Sequence, residues 1–362
     1  MRKRMLSQDI AKGMAIMAVV QLHTIQVNMA VFYFFSAFLA FAMPFFIFMS
    51  GYNYRPKGLK PVEAMKKRVL AILKVYAVWT LGIFVVMGAY FLIRGDASPA
   101  EILKSFAAEV FSESGCRMIG WNLPVALFQH VLAPYWFLQY LITASVLFYL
   151  LVDYALRSVK NLFSLVVLLS GITFAFVCFS IELPWGLHCA PLLAAVMMLG
   201  AKLGEDNRFF APASKVWLSV LNAVVCLVIV DLIQISFPAA GILGSGRLGD
   251  VAGGAEVLFV LCFGVFGSFL LIHIGKLLDR VPVVSTALIW CGQHSLLILL
   301  MHRPIAYVIR DVMGLPHFIS GNPLYVDHVT LENVIACLLV YAVMVPVIMG
   351  WDRLKARRRK QA

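Results

Sequence analysis

Charged residues are scarce in this chain of 362 residues. Asp, Glu, Lys and Arg together make up 13% of the sequence, whereas 62% of the residues are hydrophobic. A soluble domain carries about a quarter charged residues, because it must cover its surface against water. We therefore expect lipid to be the solvent for most of this protein's surface. The apolar runs are long and repeated, which excludes a lone anchor or a single cleaved signal peptide.

The sequence also lacks the short motifs of common soluble enzymes. It contains no Walker A, HExxH or GxSxG pattern, and its seven cysteines form no CxxC pair. Neither a zinc site nor a disulfide framework is predicted, because both need cysteines at regular spacing. The segment from Gly244 to Gly249 fits GxGxxG, but it lies between two apolar runs and not in the strand–helix unit that binds dinucleotides. We interpret it as a loop.

Apolar runs of about 20 residues predict an all-α polytopic membrane protein with about ten transmembrane helices. The predicted spans are 10–28, 31–50, 69–93, 134–155, 162–181, 188–203, 216–237, 255–275, 284–301 and 330–350. The sixth span is short and is interrupted by Pro191. We expect one transmembrane domain over residues 1–352 and a basic cytoplasmic tail over residues 353–362.

The placement of Lys and Arg predicts the orientation of these spans. If the N-terminus is cytoplasmic, 22 of the 30 basic residues fall in cytoplasmic segments and six, among them Arg303 and Arg310, in outer segments. This bias follows the positive-inside rule and places both termini in the cytoplasm. The net charge of +12 is then explained by topology, and nucleic acid is not expected as a partner.

The first span carries three ionisable residues on one stripe. At about 100° per residue, His23 lies within about 20° of Lys12 and roughly 16 Å further along the helix, while Asp9 lies about 60° to the other side. An ionisable group at membrane depth is a candidate functional residue, because it needs a polar cavity or a partner. Alternatively, Asp9 and Lys12 are interfacial residues and His23 is an interhelical hydrogen-bonding group.

The pattern Asp9-x-x-Lys12-Gly13-x9-His23 resembles the signature of the acyltransferase-3 family of membrane O-acyltransferases. In that family a basic residue, usually Arg, precedes a His by eleven positions. The Lys12 form here is similar to the fucose-4-O-acetylase-like branch.

Four further segments resemble elements of the same family and follow in the expected order. They are the phenylalanine-rich segment that ends in Ser50-Gly51, the basic pair Lys67-Arg68, the "WFL" element at Trp136-Phe137-Leu138, and the segment from Gly292 to His302. The sequence departs from the family at Ala71, where a second basic residue is common, and near Val75, where a proline is usual.

This resemblance implies transfer of an acyl group, usually acetyl, from cytoplasmic acyl-CoA to a hydroxyl of a surface or envelope glycan. The expected partners are acyl-CoA, a carbohydrate acceptor such as an exopolysaccharide or O-antigen, and the lipid bilayer. Acetyl-CoA is a co-substrate, and no permanently bound cofactor or metal is expected. The expected location is a bacterial cytoplasmic membrane.

The resemblance and the chemistry of the reaction suggest roles for individual residues. A hydroxyl needs a general base with a pKa near 7, and histidine is the natural one, so His23 is the candidate base. A transient acyl-histidine is a variant route. Lys12 is expected to bind the donor or polarise its carbonyl, and Asp9 to keep Lys12 charged.

The remaining candidates bind the two substrates. Arg68, Lys67 and Arg55 are predicted to meet the CoA phosphates, and His302, Trp136 and Ser50 are the candidates on the acceptor side. Topology alone also explains the basic residues, and helix packing also explains Ser50.

Other functions are also compatible with ten helices that carry buried charge. A transporter or flippase of an envelope precursor is the main alternative, although no paired broken helices are visible in matching halves. A different membrane O-acyltransferase superfamily and a non-catalytic sensor are the remaining alternatives.

Overall fold

A computed structural model describes ten stretches of the chain, and every regular element in them is a helix. The described residues are 6–24, 42–55, 58–111, 131, 135–179, 181, 183–205, 216–236, 255–315 and 330–361. Most residues of the segments 94–133, 238–254 and 303–329, which separate predicted spans and include Gly244–Gly249, lie outside them. The prediction of an all-α polytopic membrane protein is confirmed.

Twelve helices account for most of the described chain. They are α1 (Leu6–Thr24), α2 (Ala42–Tyr52), α3 (Pro61–Arg94), α4 (Pro99–Phe111), α5 (Trp136–Leu156), α6 (Val159–Cys178), α7 (Ala190–Glu205), α8 (Val216–Ser236), α9 (255–278, with a π-helical turn at Phe263–Gly267), α10 (Pro282–Gln293), α11 (Ser295–Val312) and α12 (Leu331–Gln361). Within the described residues, six helices are long and apolar enough to cross a membrane, or seven if the bent pair α10–α11 is one span.

Helix starts and ends follow from local sequence. Pro191 lies in the first turn of α7, where a missing backbone N–H interrupts no helical bond. A capping box opens α4: the Glu101 carboxylate accepts from the Ser98 N–H at 2.8 Å, and this bond holds the pKa of Glu101 below its ordinary value. Helix α3 ends at Gly95, whose φ of 74° is easily adopted by glycine.

The predicted ninth span at 284–301 is not a single helix. It is divided between α10 and α11, whose axes differ by 83°. The residue between them, His294, has φ −105° and ψ 11°, outside the α-helical region. The predicted span gave no sign of this break, since apolar residues lie on both sides of it, from Ala287 to Trp290 and again from Leu296 to Met301.

The prediction that this span ends at residue 301, with Arg303 and Arg310 in a following loop, is wrong. Helix α11 continues to Val312 and passes through Pro304. A proline inside a helix usually breaks it, because it cannot donate to the carbonyl four residues earlier. For Pro304 that carbonyl belongs to Leu300. The hydroxyl of Tyr135 donates to the Leu300 carbonyl at 2.9 Å instead, so no orphan acceptor remains and the helix continues.

Close contacts at glycine hold α1 against α10. A Cβ atom at Gly292 would lie 1.9 Å from the carbonyl oxygen of Asp9, and one at Gly13 would lie 2.1 Å from that of Leu288. Real Cβ atoms do not approach so closely, so only glycine permits this packing. The two backbones therefore meet directly, and they do so beside the Asp9–Lys12 end of α1.

Close contacts at glycine also hold α2 against α7. A Cβ atom at Gly51 would lie 1.8 Å from the Met197 carbonyl oxygen, and one at Gly200 would lie 2.3 Å from that of Phe48. The Gly51 of the Ser50-Gly51 segment thus serves close helix approach. The phenylalanines of α2 are buried in the core, with Phe45 and Phe48 fully inaccessible.

Candidate active site

The structure brings His23 of α1 against His302 of α11. The His23 Nδ1 and the His302 Nε2 lie 3.2 Å apart, and the two ring centroids are separated by 5.2 Å. His302 is completely inaccessible to solvent, whereas the His23 side chain is half-buried. Two candidate residues that are 279 positions apart in sequence therefore form one pair.

The hydrogen bonds of this pair determine which nitrogen carries the proton on each ring. The His302 Nδ1 lies 3.0 Å from the Ile298 carbonyl and the His23 Nδ1 lies 2.8 Å from the Val19 carbonyl. A carbonyl can only accept, so both Nδ1 atoms donate. The His302 Nε2 is then an acceptor that shares the proton of the His23 Nδ1. When the His23 ring is neutral, this arrangement leaves its Nε2 unprotonated, with the lone pair available as a base.

Asp9 and Lys12 form an ion pair at the other end of α1. The Lys12 Nζ and the Asp9 Oδ1 are 4.0 Å apart, and the Asp9 side chain is only 4% exposed. A nearly buried carboxylate needs a cation close by, since an uncompensated charge at this depth is costly. The pair agrees with the expected role of Asp9 in holding Lys12 charged.

Arg303 and Arg310, which sequence reasoning placed in outer segments, both belong to α11. Arg303 lies close enough to both imidazoles to act on them electrostatically. Arg310 is 1% exposed, and its Nη1 donates to the Asn333 Oδ1 at 2.9 Å and to the Thr24 carbonyl at 3.4 Å. Sequence reasoning missed both residues because the predicted ninth span ended at residue 301 and left them in the segment after it.

Three of the predicted CoA-binding residues lie after α2 and near the start of α3. Lys67 and Arg68 are exposed in the first turns of α3, and Arg68 is within electrostatic range of Tyr149 on α5. Arg55 is exposed, and its Nη1 donates to the Tyr52 carbonyl at 3.0 Å and its Nη2 to the Gly204 carbonyl at 3.3 Å. Its guanidinium thus caps the ends of α2 and α7.

The side chains of two predicted acceptor-side residues, Ser50 and Trp136, contact other residues of their own helices. The Ser50 hydroxyl donates to the Phe46 carbonyl of its own helix at 3.1 Å. Trp136 is half-buried and packs edge-on against Tyr140, with ring centroids 5.0 Å apart. Neither residue forms a hydrogen bond or a ring contact with the histidine pair in the described part of the chain, although the neighbour of Trp136, Tyr135, bonds to α11 two residues before His302.

A comparison with protein families identifies the chain. A family profile described as an acyltransferase domain matches residues 6–351. The chain belongs to the acyltransferase-3 family. Neither a curated protein nor a solved structure matches it significantly. The resemblance drawn from the motifs is confirmed for the family, while the fucose-4-O-acetylase-like branch stays a prediction.

Family membership makes this protein a multi-pass membrane acyltransferase. The roles of His23, Lys12 and Asp9, and those of the six predicted substrate-binding residues, stay predictions. In this acyltransferase both nitrogens of His302 are engaged, one by the Ile298 carbonyl and one by His23. That geometry suits a group that orients His23, whereas the predicted contact with the acceptor would need one of these bonds to open.

Substituting His302 tests the orienting role. His302→Leu removes the acceptor for the His23 N–H, and the loss of one such hydrogen bond, worth about 1 to 1.5 kcal/mol, is expected to lower kcat of the acyltransferase about tenfold. His302→Gln is the matched control, because its amide oxygen can still accept that bond. Steady-state acyl transfer by both purified variants is the measurement. Equal activity of the two variants would contradict the role.

Proposed function

We propose that this protein transfers an acyl group, most simply acetyl, from cytoplasmic acyl-CoA to a hydroxyl of a surface or envelope glycan. The single observation that carries the proposal is the contact of the His23 Nδ1 with the Val19 carbonyl and the His302 Nε2, which leaves the Nε2 of a neutral His23 ring available as a base. A hydroxyl acceptor needs a base of this kind, and a neutral histidine supplies it.

In the proposed reaction the His23 Nε2 removes the proton of the acceptor hydroxyl while its oxygen attacks the thioester carbonyl. The tetrahedral intermediate then collapses, the C–S bond breaks, and the leaving thiolate takes the proton from the His23 Nε2. The products are an ester and CoA with a free thiol. His302 stabilises the imidazolium that forms between the two steps, because its Nε2 accepts from the His23 Nδ1.

The donor is proposed to approach from the end of α1 that carries Lys12. Lys12 is 26% exposed and is paired with the buried Asp9, so its ammonium group can meet the anionic part of acyl-CoA. Lys67 and Arg68 lie exposed on the cytoplasmic end of α3, where basic side chains suit phosphate groups. Arg55 contributes charge there, although its N–H groups already bond to backbone carbonyls.

The orientation inferred from charge assigns the two substrates to opposite sides of a bacterial cytoplasmic membrane. Lys12 is nearer the cytoplasm and His23 nearer the outer face, as the positive-inside distribution requires. Acyl-CoA is made in the cytoplasm, whereas an envelope glycan such as an exopolysaccharide or O-antigen is presented outside. The helix α1 would then bring the donor from one side to the acceptor on the other.

Membranes supplied with labelled acetyl-CoA on the cytoplasmic side test this function. We expect label to appear in the envelope carbohydrate fraction of membranes that contain the wild-type protein, and to be released by mild alkali as an ester. Membranes without the protein are the control. Export of an unlabelled carbohydrate would instead indicate a transporter. Label that stays on the purified protein when acceptor is omitted would indicate the acyl-histidine route.

A further inference from the structure

Tyr341 on α12 has a buried hydroxyl group without a hydrogen-bond partner. Its oxygen is enclosed by protein, and within the described part of the chain no donor or acceptor lies in hydrogen-bond distance of it. Buried polar groups are nearly always hydrogen-bonded, so each exception needs an explanation. In an acyltransferase, a donor that is held ready for a substrate is such an explanation.

A contact beside His23 fixes the position of α12 near Tyr341. The Thr24 hydroxyl lies 3.3 Å from the Sγ of Cys337, and Thr24 follows His23 directly on α1. Tyr341 follows Cys337 by four residues, which is about one turn and about 6 Å along α12. Residues four apart lie on the same face of a helix. Tyr341 is therefore about one turn away from the level of His23.

A second contact shows in which direction α12 runs past α1. The Oδ2 of Asp352 lies 2.6 Å from the Nε2 of His294, at the end of α10 that packs beside Asp9. Helix α12 thus runs from the His23 end of α1 to its Asp9 end. Tyr341 precedes Asp352 by about 16 Å along the helix, so it lies opposite the stretch of α1 between the ion pair and His23.

The Tyr341 side chain faces the interior of the helix bundle. Cys337, Met344 and Ile348 are buried, and all three lie within about 60° of Tyr341 around the helix axis. Helix α12 packs along α1 and α11 with this face. The Tyr341 hydroxyl is also within electrostatic range of the Cys291 thiol on α10. It therefore lies among the helices that carry the histidine pair and the ion pair.

We propose that the Tyr341 hydroxyl donates a hydrogen bond to the carbonyl oxygen of the acyl thioester and stabilises the oxyanion that forms there. This role rests on the proposed function, in which acyl-CoA enters from the Lys12 end of α1 and reacts at His23. A long side chain in a helix points back toward the N-terminus of that helix. For α12 this is the end that meets Thr24, so the hydroxyl lies closer to the level of His23 than the Cα atom of Tyr341 does.

The proposed hydrogen bond strengthens during the reaction. When the acceptor oxygen attacks, an electron pair of the C=O bond moves to the carbonyl oxygen, which becomes an oxyanion. The Tyr341 O–H donates to this oxyanion and keeps its proton. When the C–S bond breaks, the C=O bond forms again, and the thiolate takes the proton held by the His23 Nε2. A donor already in position is effective here, because no other bond must break before it acts.

Tyr341→Phe removes this hydroxyl and leaves the ring. We expect kcat for acetyl transfer by the full-length protein in membranes to fall about 100-fold. KM for acetyl-CoA should stay within about twofold of the wild-type value, since the bond is made chiefly to the oxyanion. Tyr154→Phe is the control, because this tyrosine near the end of α5 is 48% exposed, and it should keep the wild-type kcat. A wild-type kcat for Tyr341→Phe would overturn the proposal.

Thermal unfolding in detergent separates this role from a structural one. Loss of a hydroxyl that has no partner in the protein should leave Tm unchanged or raise it. Tyr135→Phe is the contrasting variant, because the Tyr135 hydroxyl donates to the Leu300 carbonyl at 2.9 Å. We expect its Tm to fall by about 2 °C. An equal fall for Tyr341→Phe would show that the Tyr341 hydroxyl holds the fold together, and the proposal would be wrong.

The carbonyl stretch of bound acetyl-CoA reports on the contact directly. Acetyl-CoA with an isotope label at its acetyl carbonyl is added to the wild type and to Tyr341→Phe without acceptor, and infrared difference spectra are recorded. A hydrogen bond weakens the C=O bond, so the band should lie at lower frequency on the wild type than on Tyr341→Phe. Equal frequencies would show that the hydroxyl does not touch the carbonyl.

These measurements separate failure of the Tyr341 role from failure of the proposed function. If the wild type and Tyr341→Phe transfer acetyl at equal rates, the reaction stands and the role of Tyr341 is wrong. If the wild type binds acetyl-CoA but transfers no acetyl to carbohydrate, the proposed reaction is wrong, and the carbonyl frequency decides whether Tyr341 contacts a thioester. A wild-type protein that binds no acetyl-CoA would contradict both.

Discussion

Alanine in place of His23 is expected to lower acyl transfer by about 100- to 10,000-fold, while the protein still inserts and accumulates. The substitution removes the nitrogen proposed to take the proton from the acceptor hydroxyl. It leaves the fold in place, because the His23 side chain is half-buried and its protein partners are the Val19 carbonyl of its own helix and His302.

The measurement is labelled acetyl transfer by equal amounts of membrane-inserted wild-type and variant protein. His23→Gln should be as inactive as His23→Ala, since an amide can replace the hydrogen bond to Val19 but cannot act as a base. Gln21→Ala, on the same turn of α1, is the matched control and should keep wild-type activity. If His23→Ala transfers acetyl at the wild-type rate, His23 is not the base.

Alanine in place of Gly292 is expected to give the largest loss of folded protein. Its Cβ atom would lie 1.9 Å from the Asp9 carbonyl and 3.1 Å from the Gly13 nitrogen, so α10 must move away from α1. Overpacking of this kind costs about 1 to 3 kcal/mol, and here the obstacle is backbone, which cannot turn aside. Gly292→Val should be worse than Gly292→Ala.

Monodisperse yield after detergent extraction and Tm are the measurements for this prediction. Gly82→Ala on α3 is the matched control: a Cβ atom there meets nothing within 4 Å, and exchanging glycine for alanine inside a helix stabilises by up to about 1 kcal/mol. Gly292→Ala protein with the wild-type yield and Tm would show that the contact between α1 and α10 relaxes without cost.

Local patterns in the sequence predicted much of the fold. Every predicted span falls at least partly on a described helix, because an apolar run of about 20 residues has few alternatives in lipid. The pairing of Asp9 with Lys12 was also predictable, since residues three apart lie on one face of a helix. The motif around Lys12 and His23 indicated the family that the comparison then confirmed.

The continuation of α11 past Pro304 shows what local patterns could not predict. A proline usually ends a helix because the carbonyl four residues earlier loses its donor, and here the missing donor is the hydroxyl of Tyr135, on another part of the chain. Tyr135 lies directly before the "WFL" element in the sequence, but nothing in that position indicated its bond to the Leu300 carbonyl.

The sequence by itself determined that the protein is a helical membrane protein of the acyltransferase-3 family, and which face of α1 carries Asp9, Lys12 and His23. The membrane class and the face of α1 depend on hydropathy and on helical periodicity, and the family on its resemblance to short motifs; all of these are local in sequence. Only the tertiary structure decided that His302 contacts His23, that His294 bridges the break to Asp352, and that Arg310 is buried. Such contacts depend on how closely two backbones approach and at what angle they cross, and residues far apart in the chain set both.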